Sequence, residues 1–461
     1  MNTKLKKLYF NLPVGLQNVA ISIYGCILYL QRYGKAYRKH LEYFKNKDYT
    51  NLEKELCNQV EELKRLIIHA KENSKFYNEF YRGLDVESIN SVDDIKLLPI
   101  LDKEVLRSNI DDVYTVGENH SIASFTGGTT GKSLKVRFTK LDMQIRMAYL
   151  DAFKAKLGVN PFSSKKATFS GREFKDDSSG GKSRIFWRHN WIYRQKLYST
   201  FDLTDENLPF YVDDLNKFKP DVLNGFVSAL YVLAKFIDDK RLVIKFRPKA
   251  IFTTSETLLP VHRELLERVF GASVYNQYAS AEGAPFITQC KSGSLHYNID
   301  TGVIEEHQTP YGNEVLVTSF TSYGTPLVRY KIGDSVKFKD GVCSCGSSHP
   351  LVESIEGRKV DFLYSPSRGN ISSSHMSDVI KGMPNCVKGV QFVQNEPDRI
   401  IINISVDDSI YTNDMEQEII ESMTFRFGLD VEFEIRKLGE MPREASGKMS
   451  LIKNNIPALS V

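Results

Sequence analysis

Hydrophobic and polar positions along the chain follow two periods, and each period predicts a different kind of element. Over residues 51–81, apolar positions recur every three or four residues, which predicts one long amphipathic helix. Over residues 210–290, helical stretches alternate with short apolar runs, a rhythm typical of a mainly parallel α/β sheet. From residue 361 onward, shorter strand and helix patterns predict an α+β unit of about 100 residues.

An apolar stretch at residues 14–30 is interrupted by Gln17, Asn18 and Ser22. A membrane span needs about 20 mostly apolar residues, and no signal-peptide cleavage pattern follows this stretch. The pattern therefore predicts an amphipathic helix packed on the body of the protein, with contact to a membrane surface as the alternative. The basic residues that favour the alternative are Lys4, Lys6, Lys7, Arg32, Lys35, Arg38 and Lys39.

A run of glycines and hydroxyl side chains at residues 124–134 is the first candidate binding site. Its members are Ser124, Thr126, Gly127, Gly128, Thr129, Thr130, Gly131 and Lys132. Glycines let backbone N–H groups turn inward, hydroxyls add donors and Lys132 adds charge, so the run suits a nucleotide triphosphate. A Walker A loop needs glycine where Thr126 stands, and residues 134–139 alternate like a strand, so we predict a loop between two strands. A glycine turn without a ligand is the alternative.

Four further motifs follow this loop: Tyr-Ala-Ser-Ala-Glu-Gly at 278–283, Arg-Tyr-Lys-Ile-Gly-Asp at 329–334, Gly-Arg-Lys-Val-Asp at 357–361 and Pro-Arg-Glu-Ala-Ser-Gly-Lys at 442–448. The five together resemble those of the adenylate-forming superfamily, which includes acyl-CoA ligases, luciferases and peptide-synthetase adenylation domains. Residues 224–230 and 254–257 are most similar to the phenylacetate-CoA ligase-like branch, including its relatives in capsular polysaccharide biosynthesis.

The resemblance implies an α/β protein in two parts. Residues 1–360 would form a large N-terminal adenylate-forming domain of mixed sheets and helices, and residues 361–461 a small, mobile C-terminal α+β lid. Asp361 then marks the hinge. Lys448 becomes the catalytic cation, which enters the site only when the lid closes.

The resemblance also implies roles for polar residues near the ends of predicted strands, where open α/β sheets place ligands. Glu282 corresponds to the carboxylate that holds Mg²⁺ against the triphosphate. Asp334 corresponds to the carboxylate that accepts both ribose hydroxyls, and Arg358 would bind the ribose or a phosphate. The other implied nucleotide-binding residues are Ser255, Glu256, Tyr278, Ala279 and Ser280. Ala281 departs from the family pattern, which has a hydroxyl residue there.

The implied reaction is attack of a carboxylate on the α-phosphate of ATP, with Lys448 bridging the two anions, to give pyrophosphate and an acyl-adenylate. Transfer to a thiol, coenzyme A, would follow. Two alternatives stay open: transfer of the activated acid to a sugar amine or hydroxyl in surface polysaccharide biosynthesis, and a non-catalytic nucleotide-binding relative. Residues near Phe226, Tyr278 and Ala279 favour a small or aromatic acid.

Six cysteines without a secretion signal predict reduced thiols and a cytoplasmic location. Cys26, Cys57 and Cys386 are isolated, and we predict that they are buried. Four soft ligands in two short, turn-like clusters predict a tetrahedral structural Zn²⁺ site: Cys290, His296, Cys343 and Cys345. His349 is a competing ligand, and a set of unrelated loop thiols is the alternative.

Composition and charge add two limits. The chain has 461 residues, of which 41% are hydrophobic and 26% charged, as in ordinary globular proteins large enough for more than one domain. Its net charge of +4, from 61 basic and 57 acidic residues, is too small to indicate nucleic-acid binding. We therefore predict small-molecule partners and no nucleic acid.

Overall fold

The computed structural model has an α/β architecture built on one large sheet, which confirms the predicted fold class. It describes residues 8–125, 134–172, 174, 184–204, 206–255, 258, 260–309, 312–355, 362–372, 376, 379, 382–384, 386–406, 408–439, 442 and 452–456.

The helices and strands alternate through the middle of the chain as predicted. The α-helices are α1 (Val14–Arg32), α2 (Lys35–Asn46), α3 (Leu52–Asn73), α4 (Lys75–Phe80), α5 (Lys103–Ser108), α6 (Ile110–Val113), α7 (Lys140–Lys156), α8 (Leu208–Phe218), α9 (Val227–Asp239), α10 (Pro260–Phe270) and α11 (Asn413–Phe427). The strands are β1 (Ile122–Phe125), β2 (Lys135–Phe138), β3 (Lys166–Ser170), β4 (Trp187–Asn190), β5 (Gln195–Ser199), β6 (Val222–Phe226), β7 (Ala250–Thr254), β8 (Val274–Tyr278), β9 (Ile287–Gln289), β10 (Leu295–Tyr297), β11 (Gly302–Thr309), β12 (Gly312–Ser319), β13 (Tyr330–Lys331), β14 (Val336–Lys339), β15 (Leu351–Ile355), β16 (Phe362–Ser365), β17 (Gly369–Ser372), β18 (Val387–Glu396), β19 (Arg399–Val406), β20 (Glu432–Lys437) and β21 (Ile452–Asn454).

The largest sheet has the strand order β14-β15-β10-β9-β8-β7-β6-β3-β5-β4. Strands β5, β3, β6, β7 and β8 are parallel, and β4 closes one end as an antiparallel edge strand. The other strands of this sheet, β9, β10, β15 and β14, pair antiparallel with their neighbours, and β9 joins them to β8. Strands β6, β7 and β8 are the part that the alternating pattern of residues 210–290 predicted, and β7 is buried at four successive positions because helices cover the sheet.

Two large apolar cores lie against this sheet. The first packs α8, α9 and α10 on the parallel strands, with Leu230, Ile251 and Leu266 fully buried. The second packs α3 on the antiparallel half and on the three-stranded sheet of β11, β12 and β13, with Leu63 and Leu66 fully buried. The two cores together hold the carboxyl ends of the parallel strands in fixed positions.

The helix predicted over residues 51–81 is wrong in one respect, because Ser74 divides it into α3 and α4. Ser74 has an extended backbone, with φ of −119° and ψ of 125°. Its hydroxyl accepts a hydrogen bond from the Tyr77 N–H and donates one to the Asp112 carbonyl oxygen. A serine that caps a helix start in this way satisfies an N–H that a continuous helix would have paired internally.

The C-terminal part has a four-stranded sheet in the order β20-β19-β18-β21, with α11 packed on it and β16 and β17 as a separate hairpin. The strands predicted near residues 391–393, 400–406 and 431–435 are all present. The predicted boundary at residue 361 and the hinge residue Asp361 lie outside the described residues, so the division into two domains stays a prediction.

Two of the three isolated cysteines are not buried. Cys386 is buried as predicted, but Cys26 and Cys57 are exposed. Cys57 lies on the side of α3 opposite the buried Leu66, and Cys26 lies on the outer side of α1. A lone cysteine has no periodic signal of its own, so its burial depends on which side of the helix meets the protein.

Candidate active site

The carboxyl ends of β6, β7 and β8 lie side by side at one edge of the parallel sheet, as predicted. Phe226, the last residue of β6, pairs with Thr254, the last residue of β7, and β8 ends at Tyr278. Ser255 follows with φ of +67°, a left-handed conformation that turns the chain sharply away from the strand. Ser255 and Tyr278 therefore sit where open α/β sheets bind ligands. Glu256 lies outside the described residues.

The loop after β8 is held in shape by its own serine. The Ser280 hydroxyl oxygen accepts hydrogen bonds from the N–H groups of Gly283 at 3.1 Å and Ala284 at 2.9 Å. Gly283 has φ of +106°, and a Cβ there would lie 2.9 Å from the Phe138 ring. Glycine is therefore required, and the loop lies directly against β2. Ser280 has a structural role here, while Ala279 and Ala281 are exposed.

The strands that flank the predicted phosphate loop form the expected hairpin. β1 pairs antiparallel with β2, with Phe125 opposite Lys135 and Ser124 opposite Val136. The placement between two strands is therefore confirmed. The loop residues Thr126, Gly127, Gly128, Thr129, Thr130, Gly131 and Lys132 lie outside the described residues, and their nucleotide contacts stay a prediction.

Glu282 is buried beside a cation that the sequence did not point to. Its side chain is 8% exposed, and its Oε1 lies 3.8 Å from Nζ of Lys103, itself largely buried. A buried carboxylate needs a nearby positive charge to offset the loss of water. Lys103 begins the short helix α5, and a lysine at that position has no pattern that distinguishes it from a solvated one. The pair could accept a divalent cation at the carboxylate and a phosphate at the ammonium.

A short parallel bridge joins Leu101, two residues before Lys103, to the 329–334 motif. The Leu101 N–H donates to the Arg329 carbonyl oxygen, and the Lys331 N–H donates to the Leu101 carbonyl oxygen. Arg329 is held in turn by an ion pair with Glu305 at 2.9 Å. Residues from three distant parts of the sequence thus meet at the three-stranded sheet of β11, β12 and β13.

Asp334 and Tyr278 come from two different motifs and are in direct contact. The Tyr278 hydroxyl donates a hydrogen bond of 2.8 Å to Oδ2 of Asp334. This bond fixes the orientation of a partly exposed carboxylate next to the carboxyl end of β8. A carboxylate held in this way can accept hydrogen bonds from two adjacent hydroxyl groups, as a ribose presents.

Removal of the Tyr278 hydroxyl tests this arrangement. We expect Tyr278→Phe to raise the KM for ATP about tenfold with little change in kcat, because a hydrogen bond to a charged group contributes about 1.5 kcal/mol or more. The measurement is ATP-dependent turnover at varied ATP concentration. Tyr275→Phe removes a hydroxyl from the same strand and serves as the control. If the KM for ATP were unchanged in both variants, the hydrogen bond that orients Asp334 would not contribute to ATP binding.

Two further predicted site residues, in addition to Glu256 and the phosphate loop, cannot be placed. Arg358 and Lys448 lie outside the described residues, so their contacts stay predictions. Among the described residues, Tyr278 contacts Asp334, Glu282 lies beside Lys103, and Gly283, next to Glu282, packs on Phe138 of the β1–β2 hairpin.

The four predicted metal ligands form a second site, in the antiparallel half of the large sheet. The ligand atoms of Cys290, His296, Cys343 and Cys345 all lie within 4.8 Å of one another. The sulfur atoms of Cys290 and Cys343 are 3.7 Å apart, close to the edge of about 3.8 Å that a tetrahedron with Zn–S bonds of about 2.3 Å requires. The cluster therefore fits a tetrahedral zinc ion.

The histidine of this cluster is oriented by a backbone group. His296 Nδ1 lies 3.2 Å from the His349 carbonyl oxygen, and Nε2 lies 3.4 Å from the Cys345 sulfur. A proton on Nδ1 leaves Nε2 as the ligand atom, the arrangement that metal-binding histidines favour. The His349 ring is not part of the cluster, because its Nε2 lies 3.8 Å from Glu55.

The thiols of the cluster influence one another. Burial raises the pKa of the Cys343 thiol, but hydrogen bonds from Ser294 and from the Cys345 N–H outweigh burial and lower that pKa to about 6. Burial and the adjacent thiols raise the pKa of Cys345 to about 11. One thiolate therefore forms readily, and its negative charge disfavours ionisation of a second thiol. A divalent cation at the centre of the cluster would offset this repulsion.

Comparison with known proteins gives relatives for the whole chain. A family profile described as the CapK C-terminal domain matches residues 363–455. Protein CapK of Staphylococcus aureus is 34% identical over 461 residues, covering 98% of this chain and all of the relative.

Among solved structures, the fold is similar to that of 2-hydroxyisobutyryl-CoA ligase in two states. The complex in the postadenylation state has a TM-score of 0.54 at 16% identity and covers 86% of this chain and 88% of the ligase. The complex with an acyl-AMP and CoA has a TM-score of 0.55 at 18% identity and covers 86% and 89%. At such identities the likeness concerns the fold.

Proposed function

The chain belongs to the CapK family, within the adenylate-forming superfamily, and from that premise we propose that it activates a small carboxylic acid with ATP and Mg²⁺. The observation that carries the proposal is the hydrogen bond between Tyr278 and Asp334. It joins two distant motifs at the start of the loop that contains the buried Glu282 and packs on β2 through Gly283. These are the groups that an ATP site needs: acceptors for a ribose, a carboxylate for a metal and a loop for phosphates.

In the proposed reaction, a carboxylate oxygen of the acid forms a bond to the α-phosphorus while the bond to pyrophosphate breaks. The hydroxyl-rich loop at residues 124–132 holds the β- and γ-phosphates, and Asp334 orients the ribose. Glu282 would hold Mg²⁺, which offsets the negative charge of the triphosphate. Lys448 bridges the carboxylate and the α-phosphate, where two anions must approach each other.

For the second step we favour transfer to coenzyme A, as in an AMP-forming acid–thiol ligase of the phenylacetate-CoA ligase-like type. A thiolate would attack the acyl carbonyl and AMP would leave. The likeness to a ligase whose structure holds an acyl-AMP and CoA supports this order of events. Kinship with CapK, and the resemblance to capsular polysaccharide relatives, supports a sugar amine or hydroxyl as the alternative acceptor.

ATP–pyrophosphate exchange over a panel of small and aromatic acids tests the first step without assuming an acceptor. Exchange that depends on one acid supports adenylation, and coenzyme A or amino sugars are then added with that acid to identify the acceptor. Nucleotide binding without exchange for any acid would favour a non-catalytic relative, which the exposed Ala281 in place of a hydroxyl residue would suit.

We also propose that Cys290, His296, Cys343 and Cys345 bind a structural Zn²⁺ in a reducing, cytoplasmic compartment. The sulfur separation and the oriented imidazole support zinc over a set of unrelated thiols. We expect about one zinc per chain and expect Cys345→Ser to lower the free energy of unfolding by about 2 to 3 kcal/mol, the linkage for a metal held at about a hundred times its dissociation constant.

Elemental analysis and denaturant unfolding measure these two quantities. Cys57→Ser changes another exposed thiol, on α3, that is not one of the four predicted ligands, and it is the control. Purified protein without zinc, with the same stability before and after chelation, would favour the unrelated thiols.

A further inference from the structure

Helix α1 turns polar side chains toward the protein, where they cover the free edge of the large sheet. Asn18 Oδ1 accepts a hydrogen bond of 2.9 Å from the His189 N–H, and Ser22 Oγ accepts one of 3.2 Å from the Trp191 N–H. His189 lies on β4, the edge strand, and Trp191 directly follows it. Unpaired N–H groups on an edge strand need partners, and α1 supplies them from its side chains.

Two tight contacts fix the helix along this strand. Arg188 Nε donates a buried hydrogen bond of 2.6 Å to Oε1 of Gln17. Gly25 lies so close to the Asn190 side chain that a Cβ at residue 25 would be 2.6 Å from its amide oxygen. The polar side of α1 is therefore a docking face, and a shift of the helix would break both contacts.

The opposite side of α1 is apolar and exposed. Its exposed residues are Leu16, Val19, Ile23, Cys26, Ile27 and Leu30. We call them the α1 surface; they follow one another at spacings of three, four or one, as on one helix face. Among the described residues, α1 is the helix long and apolar enough to cross a membrane, and 17% of its most apolar window is buried. Its docking contacts hold it flat along β4, so it does not span while the sheet edge is intact.

The turn after β4 adds two exposed apolar residues next to α1. Trp191 and Ile192 are 55% and 43% exposed there, beside Ser22. Tryptophan is enriched where proteins meet the interface of a membrane, because its ring is apolar and its N–H is polar.

Charge identifies what covers the surface. The first 41 residues contain no Asp or Glu, and their basic residues lie in sequence before α1, in its last turn and after it: Lys4, Lys6, Lys7, Arg32, Lys35, Arg38 and Lys39. A second copy of the chain, parallel or antiparallel, would bring cations against cations at both ends of the helix. An anionic lipid surface meets both requirements, apolar insertion and opposite charge. We propose that the α1 surface docks on a membrane that carries anionic lipids, with the polar face still bound to β4.

The topology sets the orientation of the docked protein. The turn that contains Trp191 leads into the amino end of β5, which is parallel to β6, β7 and β8. The carboxyl ends of these strands carry Thr254 and Tyr278. Trp191 therefore lies at the amino ends of the parallel strands and the candidate active site at their carboxyl ends. Docking at Trp191 leaves that site open to solvent. The inference depends on α1 alone and is independent of the proposed reaction.

Vesicle flotation with the full chain tests the proposal. We expect binding to phosphatidylglycerol vesicles, weaker binding to phosphatidylcholine vesicles, and a loss of the difference at high salt. The chain has two tryptophans, so Trp187→Phe leaves Trp191 as the single reporter. Brominated phosphatidylglycerol should quench its fluorescence. If the protein bound neither kind of vesicle, or bound without quenching of the Trp191 fluorescence, the proposal would be overturned.

Variants on the two faces sharpen the test. Ile23→Ser with Ile27→Ser should lower the partition coefficient about tenfold or more, because each buried isoleucine contributes to partitioning. Lys35→Glu with Arg38→Glu should weaken binding to phosphatidylglycerol alone. Val342→Ser and Leu429→Ser change residues that are 98% and 94% exposed elsewhere and should bind as wild type. Circular dichroism and thermal unfolding confirm that each variant is folded.

A second copy as the occupant gives a different result. Analytical ultracentrifugation would then find a lipid-independent dimer that the isoleucine variant dissociates, and that outcome overturns membrane docking. A monomer that floats only with anionic vesicles supports it.

Discussion

Replacing Lys448 by alanine is expected to slow pyrophosphate exchange about a thousandfold while nucleotide binding persists. Charge builds up on the oxygens between the acid and the α-phosphate as the bond forms, and a cation placed there stabilises the transition state more than the bound nucleotide. Lys448 lies outside the described residues; β21 begins four residues later at Ile452 and pairs with β18. Exchange rates and ATP calorimetry measure the two effects separately.

Lys453→Ala is the matched control, because Lys453 lies on β21 and its loss changes the net charge equally. We expect it to exchange at the wild-type rate. If Lys448→Ala also kept that rate, the implied catalytic role of Lys448 would be wrong. If instead Lys448→Ala lost ATP binding together with exchange, Lys448 would contribute to the binding of ATP itself and not only to the transition state.

Glu282→Gln is expected to reduce exchange about a hundredfold or more and to raise the Mg²⁺ concentration needed for half-maximal exchange. Mg²⁺ binds through one or two carboxylates plus phosphate oxygens, and glutamine keeps the shape of the side chain but loses the charge. Glu282 is almost fully buried and lies 3.8 Å from Lys103, so its carboxylate is held in place before any metal arrives. A Mg²⁺ titration of the exchange rate is the measurement.

Thermal unfolding of the same variant separates loss of metal from loss of fold, since Glu282→Gln also removes an anionic neighbour of Lys103. Glu264→Gln alters an exposed acid on α10 and should leave both the titration and the stability unchanged. An unaltered Mg²⁺ dependence in Glu282→Gln would assign the metal to other groups.

The sheet and most of the site could be predicted because the relevant signals are local. Short apolar runs followed by helical patterns identify parallel strands, and the topology of such sheets places Ser255 and Tyr278 at one edge. The spacing of hydroxyls, glycines and β-branched residues likewise identified the β1–β2 hairpin. The contact of Tyr278 with Asp334 was not predicted as such, yet both residues came from motifs that the sequence contains in order.

Lys103 could not be predicted, because its role depends on a contact across 179 positions with Glu282 and on no local pattern. The division of the long helix at Ser74 depends on the hydrogen bond between the Ser74 hydroxyl and the Tyr77 N–H. From the sequence, a helix that continues through Ser74 is equally plausible. The orientation of α1 could not be predicted from the sequence either. Apolar residues at helical spacing normally face a core, but here the edge of β4 needs polar partners and so takes the other face.

The contact of α1 with β4 has a consequence for the order in which the protein is made. Ser22 and Trp191 are separated by 169 residues, so the ribosome, at roughly 5–20 residues per second, completes the strand edge about ten to thirty seconds after the helix. Through that interval the face of the nascent helix that later binds β4 has no strand edge to contact. A bilayer or a chaperone near the ribosome therefore reaches α1 before its own sheet does.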